Sequence, residues 1–156
     1  MKDIVSEIFR ILRPGGVCAL STWQASGWLS DIPLALATIP GTPPFPDPDT
    51  LSMALSHGAR WHNTSYVEQQ LAEHGFKDVK VEVLTSLAFV DDAAAYAEML
   101  SPMVTWFTTV VWNSEDCERY GRLIKPTLLK YATEKYGENQ RIEWEMAAIL
   151  ATALKP

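Results

Sequence analysis

The residues able to carry chemistry are few and scattered. Histidines stand at His57, His62 and His74, and cysteines at Cys18 and Cys117. No pair of them has the spacing of a metal site, so no metal is expected. Neither a Gly-x-Ser-x-Gly elbow nor a phosphate-cradling glycine loop occurs, which argues against the common hydrolase and nucleotide-hydrolysing chemistries. Asp91-Asp92 precedes an apolar helical repeat and reads as an N-cap pair rather than a catalytic dyad. His74 falls in the last turn of an expected helix, where a cation complements the dipole. His57 either caps the helix before it or donates a hydrogen bond to a ligand carbonyl. Cys18 lies in a charge-free apolar run and reads as an inert core thiol.

The aromatic residues say more. Six tryptophans among 156 residues hint at a ligand pocket beyond core needs. Trp28, Trp61, Met99, Met103, Trp106, Phe107 and Trp112 are the expected lining of a substrate-binding pocket for a small apolar substrate. Thr22, Trp23 and His57 are the candidate catalytic groups, each as a hydrogen-bond donor.

The elements that must position these residues follow from periodicity. Ile4, Ile8, Ile11 and Leu12 recur at helical spacing, predicting a helix over Asp3–Leu12. Pro14-Gly15-Gly16 breaks it and reverses the chain. Val17–Trp23 carries no charge and is expected as a strand buried on both faces. Residues 24–60 form a long insert. In it Ser30 caps a short helix through Ile39, a proline cluster spans Pro40 to Pro48, and Asp47 or Asp49 caps another short helix. Asn63, Thr64 or Ser65 opens the next helix, with Ser65-x-x-Glu68 fitting a capping box and Gly75 as its stop. Asp78–Phe89 alternates and predicts an edge strand. Asp91 or Asp92 caps a long helix that Pro102 should kink or divide. Asn113 or Ser114 opens another, bent at Pro126 and ended at Gly137. Ile142–Leu154 closes the chain as a strand, uncharged from Met146 to Ala153 and expected to be buried on both faces.

Composition bounds the remaining choices. A formal charge of −6 argues against nucleic acid and an anionic membrane surface as partners. No run approaches the length of a membrane span, and Met1-Lys2-Asp3 does not open a signal peptide. Two distant cysteines make no disulfide framework. The expectation is a single cytoplasmic domain over 1–156.

Several stretches taken together resemble class I S-adenosylmethionine-dependent methyltransferases, in particular a small fungal type related to ubiquinone-biosynthesis methyltransferases. They are Leu12-Arg13-Pro14-Gly15-Gly16 through Ser21-Thr22-Trp23, Ile39-Pro40-Gly41 with Pro43-Pro44-Phe45, and Arg60-Trp61. Leu71 to Phe76 with Val79-Lys80-Val81-Glu82-Val83, and Glu145-Met146-Ala147-Ala148-Ile149-Leu150-Ala151-Thr152, complete the set. The resemblance is to the C-terminal half of that family. It implies a truncated Rossmann-like α/β fold with a small mixed sheet of strands near 17–23, 78–89 and 142–154, the last lying between the other two. The family's cofactor turn and ribose-binding carboxylate belong to the half without counterpart here, so no cofactor is expected on this chain alone.

A substrate half without its cofactor half is similar to methyltransferase-like proteins that catalyse pericyclic cyclisations, such as Diels–Alder-type cycloadditions of natural-product intermediates. A cofactor-independent cyclase is therefore the first expectation. A non-catalytic or split subunit of a methyltransferase and a carrier of an apolar metabolite are its rivals. The unprotected edge of 17–23 further predicts a homodimer through that edge or through the N-terminal helix.

Overall fold

The computed structural model describes residues 4–156. The readings that fall on Met1, Lys2 and Asp3, including the helix start at Asp3, lie outside the described residues. Six α-helices and three strands follow in order: α1 (Ile4–Ile11), β1 (Val17–Ser26), α2 (Asp31–Leu36), α3 (Pro48–Leu55), α4 (Thr64–Glu73), β2 (Lys77–Val90), α5 (Ala93–Val111), α6 (Ser114–Tyr136) and β3 (Ile142–Leu154). A 3-10 turn over Gly27–Ser30 joins β1 to α2. The strands form one sheet in the order β1-β3-β2. Neighbouring strands run antiparallel, so β1 and β2 are parallel to each other across β3. At one end of the sheet the Gly15 N–H donates to the Lys155 carbonyl, and the Lys155 N–H to that of Gly16, both at 2.8 Å.

The described residues group into two compact units. The first comprises the residues up to Ala25, then Ala59–Ser86 and Met146–Pro156. Its core joins Val5 of α1, Cys18 of β1, Val67 and Leu71 of α4, Phe76, and Ile149, Ala151 and Ala153 of β3. Helices α1 and α4 thus cover one sheet face. The opposite face departs from the expectation that 17–23 is buried on both sides. Burial alternates along β1, leaving Val17 63% and Trp23 60% exposed. On β3, Ala147, Ile149, Ala151 and Ala153 are buried, whereas Ala148 and Leu150 between them are only half-buried. An uncharged strand is free to be buried twice, but these have helices of this unit on one face only.

Local chemistry sets the element ends. Asn63, not the expected capping box, caps α4: its Oδ1 accepts from the Tyr66 N–H at 3.0 Å, and Ser65 lies inside the helix. At the other end Phe76 N–H reaches the Leu71 carbonyl and Gly75 N–H that of Ala72, a Schellman pair made possible by φ +92° at Gly75. The Lys155 ammonium donates to the Phe9 and Leu12 carbonyls at 2.6 and 2.7 Å, satisfying the last turn of α1.

The second unit comprises Ser26–Gly58 and Leu87–Glu145. Helices α5 and α6 form its centre and α2 packs on α6. Both long helices run unbroken through Pro102 and Pro126. Asp92 caps α5 through Ala95 and Asn113 caps α6 through Asp116. Ser30 precedes α2, but its hydroxyl donates back to the Gly27 carbonyl instead of capping, and the helix stops at Leu36 rather than Ile39. Asp47 caps α3 by accepting from Asp49 and Thr50 N–H groups.

Candidate functional site

The proline-rich insert builds a cavity. Pro33 and Ala37 on and after α2, and Ile39 to Phe45 beyond it, line about 410 Å³. Ile39 and Phe45 are buried and anchor this segment, while Tyr120 of α6 donates to the Gly41 carbonyl at 2.7 Å. A Cβ at Gly41 would stand 3.0 Å from that hydroxyl, and its φ of +81° also favours glycine. The Ile39-Pro40-Gly41 turn is therefore held from behind by Tyr120. Trp112 packs edge-on against the Tyr120 ring, and its Nε1 is buried without a partner among the described residues.

The wall of this cavity is fixed by a group that sequence reasoning missed. Asp31, the first residue of α2, is only 3% exposed. Its carboxylate accepts from Lys135 Nζ and the Tyr136 hydroxyl at 2.5 Å, and from the Tyr131 and Tyr96 hydroxyls at 3.3 and 3.4 Å. Burial, then the Asp31 charge, pushes the Tyr96 phenol far above its ordinary range. Burial and Asp31 also raise Tyr131 and Tyr136. For Lys135 burial is the largest single effect and opposes its charge, but its bonds to Asp31 and Tyr136 with the Asp31 charge outweigh it, so its pKa rises. Every oxygen lone pair facing this cluster is engaged, which makes Asp31 a tether between α2 and α5–α6 rather than a free acid or base. The sequence signal was faint: Tyr131 and Lys135 stand four apart on α6, and Tyr136 follows as its last residue.

The expected pocket residues are distributed. In the second unit Trp28 and Phe107 are buried and stack at 6.4 Å, with Trp106 tilted against Phe107 at 5.3 Å. Trp112 is also buried, Met103 half-buried, and Met99 and Trp106 stand exposed. His57 is exposed with φ +53°, in the left-handed turn that ends α3, where its N–H reaches the Ala54 carbonyl. In the first unit, Thr22 and Trp61 share a groove of about 260 Å³ with Ile4, Val5, Ile8, Leu20 and Ser21, while Trp23 is exposed. Among the described residues, no group of three His, Cys, Asp or Glu is placed to hold a metal. No helix among them is long and apolar enough to cross a membrane.

S-adenosylmethionine, which the resemblance brings to mind, does not fit the residues present. The adjacent glycines spend their backbone donors internally, Gly15 on Lys155 and Gly16 on Arg13. A Cβ at Gly16 would meet the Arg13 carbonyl at 2.8 Å, so that glycine serves its own turn and not a ligand. Asp31, the acidic residue after β1, is saturated by Lys135 and the tyrosines and cannot take ribose hydroxyls.

No family model matches the sequence. Three fungal proteins do. An acetylaranotin bis-thiomethyltransferase of Aspergillus terreus is 30% identical over 96% of this chain and 54% of its own length. Methyltransferase tpcH of Aspergillus fumigatus is 26% identical over 99% of this chain and 54% of its own. Methyltransferase ktnA of Aspergillus niger is 28% identical, covering 99% and 50%. Among solved structures, the phosphoethanolamine N-methyltransferase 2 of Haemonchus contortus gives a TM-score of 0.38 at 15% identity, over 98% of this chain and 29% of its own. Along essentially its whole length the chain is similar to these fungal methyltransferases, and it spans about half the length of the curated relatives it matches.

Proposed function

We propose that these residues form the acceptor-substrate side of a methyl-transfer enzyme, with the methyl donor held by an α/β segment outside them. The observation that carries this reading is the lopsided coverage: nearly all of this chain matches only half of each methyltransferase relative. The lack of fit for S-adenosylmethionine points the same way. On this reading the acceptor is a small apolar molecule received by the insert. The cavity walled by Pro33, Ile39, Pro40, Pro43 and Phe45 supplies apolar contact.

The cofactor-independent pericyclic cyclase is the rival. It asks for aromatic side chains free to enclose a folded substrate. Trp28 and Phe107 are instead spent on each other, and Trp106 and Met99 face solvent, so this reading has less support. The deciding experiment is calorimetry of the chain with S-adenosylmethionine, followed by a methyl-transfer assay after co-expression with the unmatched segment of the Aspergillus terreus relative. No binding by the chain alone and transfer by the pair is the expected result. Tight binding by the chain alone, or conversion of a polyene substrate without any methyl donor, overturns it.

A further inference from the structure

The cavity of the insert is walled by residues that accept hydrogen bonds and hardly give them. Of its lining residues, Pro33, Pro40, Pro43 and Pro44 have no N–H at all. Most of the other backbone donors are spent within the segment. The Ala37 N–H donates to the Pro33 carbonyl, the Ile39 N–H to that of Leu36 and the Thr42 N–H to that of Ile39. The Thr42 hydroxyl is spent as well, on the Leu36 and Ile39 carbonyls at 3.1 and 3.0 Å. What remains is the N–H of Gly41 and that of Phe45. Against them stand the carbonyls of Ala37, Pro40, Thr42, Pro43 and Pro44, which have no hydrogen-bond partner among the described residues. Charge narrows the choice further. Among the described residues, no charged side chain lines the cavity. The acidic residues that flank the lining in sequence are engaged, Asp31 by Lys135 and Tyr136, and Asp47 by the Asp49 and Thr50 N–H groups. An ammonium ligand thus meets no free carboxylate from these two, and an anionic ligand gains no cation from Lys135, which Asp31 holds.

We infer that this wall selects a neutral apolar ligand that gives a hydrogen bond, an aromatic hydroxyl being the best match, and rejects the same ligand once that hydroxyl is methylated. A hydroxyl is uncharged and gives a short O–H bond to a carbonyl, whereas a thiol is a weak donor. The volume of about 410 Å³ lies within the range of small-molecule sites. Proline rings also pack well on aromatic rings, as they do where proline-rich segments dock on aromatic grooves. The methyl ether of such a ligand has only an acceptor oxygen to offer to a wall of acceptors. The inference rests on the reading of this cavity as the place of a methyl acceptor, and it adds that the site holds the acceptor in preference to its methylated form.

The test titrates the isotope-labelled 156-residue chain with p-cresol, its methyl ether 4-methylanisole and the anion p-toluate, following backbone amides by NMR. Saturable shifts at Gly41, Thr42 and Phe45 are expected with p-cresol. Binding of 4-methylanisole should be weaker by about fivefold, the effect of one net hydrogen bond, and p-toluate weaker still. Pro44 is exposed, so Pro44→Arg leaves melting unchanged while its cation admits p-toluate. Absence of a saturable shift with p-cresol up to its solubility overturns the inference, as do shifts confined to amides outside residues 37–45. Equal or tighter binding of 4-methylanisole or p-toluate overturns it too, as does a Pro44→Arg chain with unaltered affinities. A preference for p-cresol in a chain that completes no methyl transfer with the co-expressed segment leaves the wall standing and removes only the functional reading. Transfer by the pair without that preference does the reverse.

Discussion

Replacing Asp31 by alanine tests whether one buried carboxylate fixes the start of the insert. Two of its bonds, from Lys135 and Tyr136, are short at 2.5 Å, and those from Tyr131 and Tyr96 are long at 3.3 and 3.4 Å. A hydrogen bond to a charged acceptor contributes about 1.5–3 kcal/mol, and the long pair adds little. Lys135 keeps 42% of its side chain in solvent and rehydrates when the carboxylate leaves, which puts its share at the low end. The expected loss is therefore about 3–4 kcal/mol, inside the range of about 3–5 kcal/mol for breaking a buried pair. Urea unfolding reads it as a lower midpoint at unchanged slope. The pH dependence gives a second reading. Lys135 and the three phenols have raised folded pKa values, so their contribution is full below the ordinary values of 10.5 and 10.0 and is lost as pH climbs through the raised ones. The wild-type chain should thus lose stability in alkali, and Asp31→Ala should flatten that loss. A loss under about 1 kcal/mol at neutral pH, with the alkaline slope unchanged, would show that the tether is not what holds α2.

Three further outcomes are expected. Gly75→Ala should destabilise by about 1 kcal/mol or more, because φ +92° is strained for alanine and the Phe9 ring stands 3.3 Å from the added carbon; a neutral substitution in thermal melts contradicts the Schellman ending. Trp28→Ala should cost about 3–5 kcal/mol as a buried ring stacked on Phe107, whereas the exposed Trp106→Ala should stay within about 0.5 kcal/mol; equal losses by denaturant titration would overturn this division. Cys18, buried in the first core with its thiol pKa pushed up by desolvation, should resist a thiol reagent at neutral pH until the chain unfolds, and rapid labelling of the native protein would mean that this core opens.

Strand and helix positions were legible because they follow from local pattern. The run Ile142–Leu154 is recovered residue for residue, and Val17–Trp23 and Asp78–Phe89 fall inside strands that extend a few residues further. The caps at Asp92, Asn113 and Asp47 were legible for the same reason, since a short side chain meets N–H groups two or three residues on. Burial was not. Val17-Cys18-Ala19-Leu20 reads identically whether one face or two are covered, and only the placement of α1 and α4 shows that the Val17 side is open. The unbroken helices at Pro102 and Pro126 make a similar point about packing. Proline removes one backbone bond, but the α5–α6 contact keeps both helices continuous over 19 and 23 residues.

The site was less legible than the fold because its members meet over long separations. Asp31 finds Tyr96 at a separation of 65 residues and Tyr136 at 105, and no spacing rule reaches that far. The tryptophans misdirect for a related reason. An indole looks the same in sequence whether it stacks in a core, as Trp28 does, or faces water, as Trp106 does. What separates them is the turn of the chain before each. Gly27 runs so close to β3 that a Cβ there would meet the Glu145 carbonyl at 2.8 Å, and this close passage sets the 3-10 turn that carries Trp28 inward. Trp106 has no such constraint: it lies mid-helix one residue before the buried Phe107, and helical geometry puts consecutive side chains on different faces. Two polar atoms are left over from this packing among the described residues, Nε1 of Trp112 and Nε1 of Trp144, and the first lies beside the insert's anchor. It is buried, unpaired among the described residues, and backed by the Tyr120 ring that also secures the Gly41 turn.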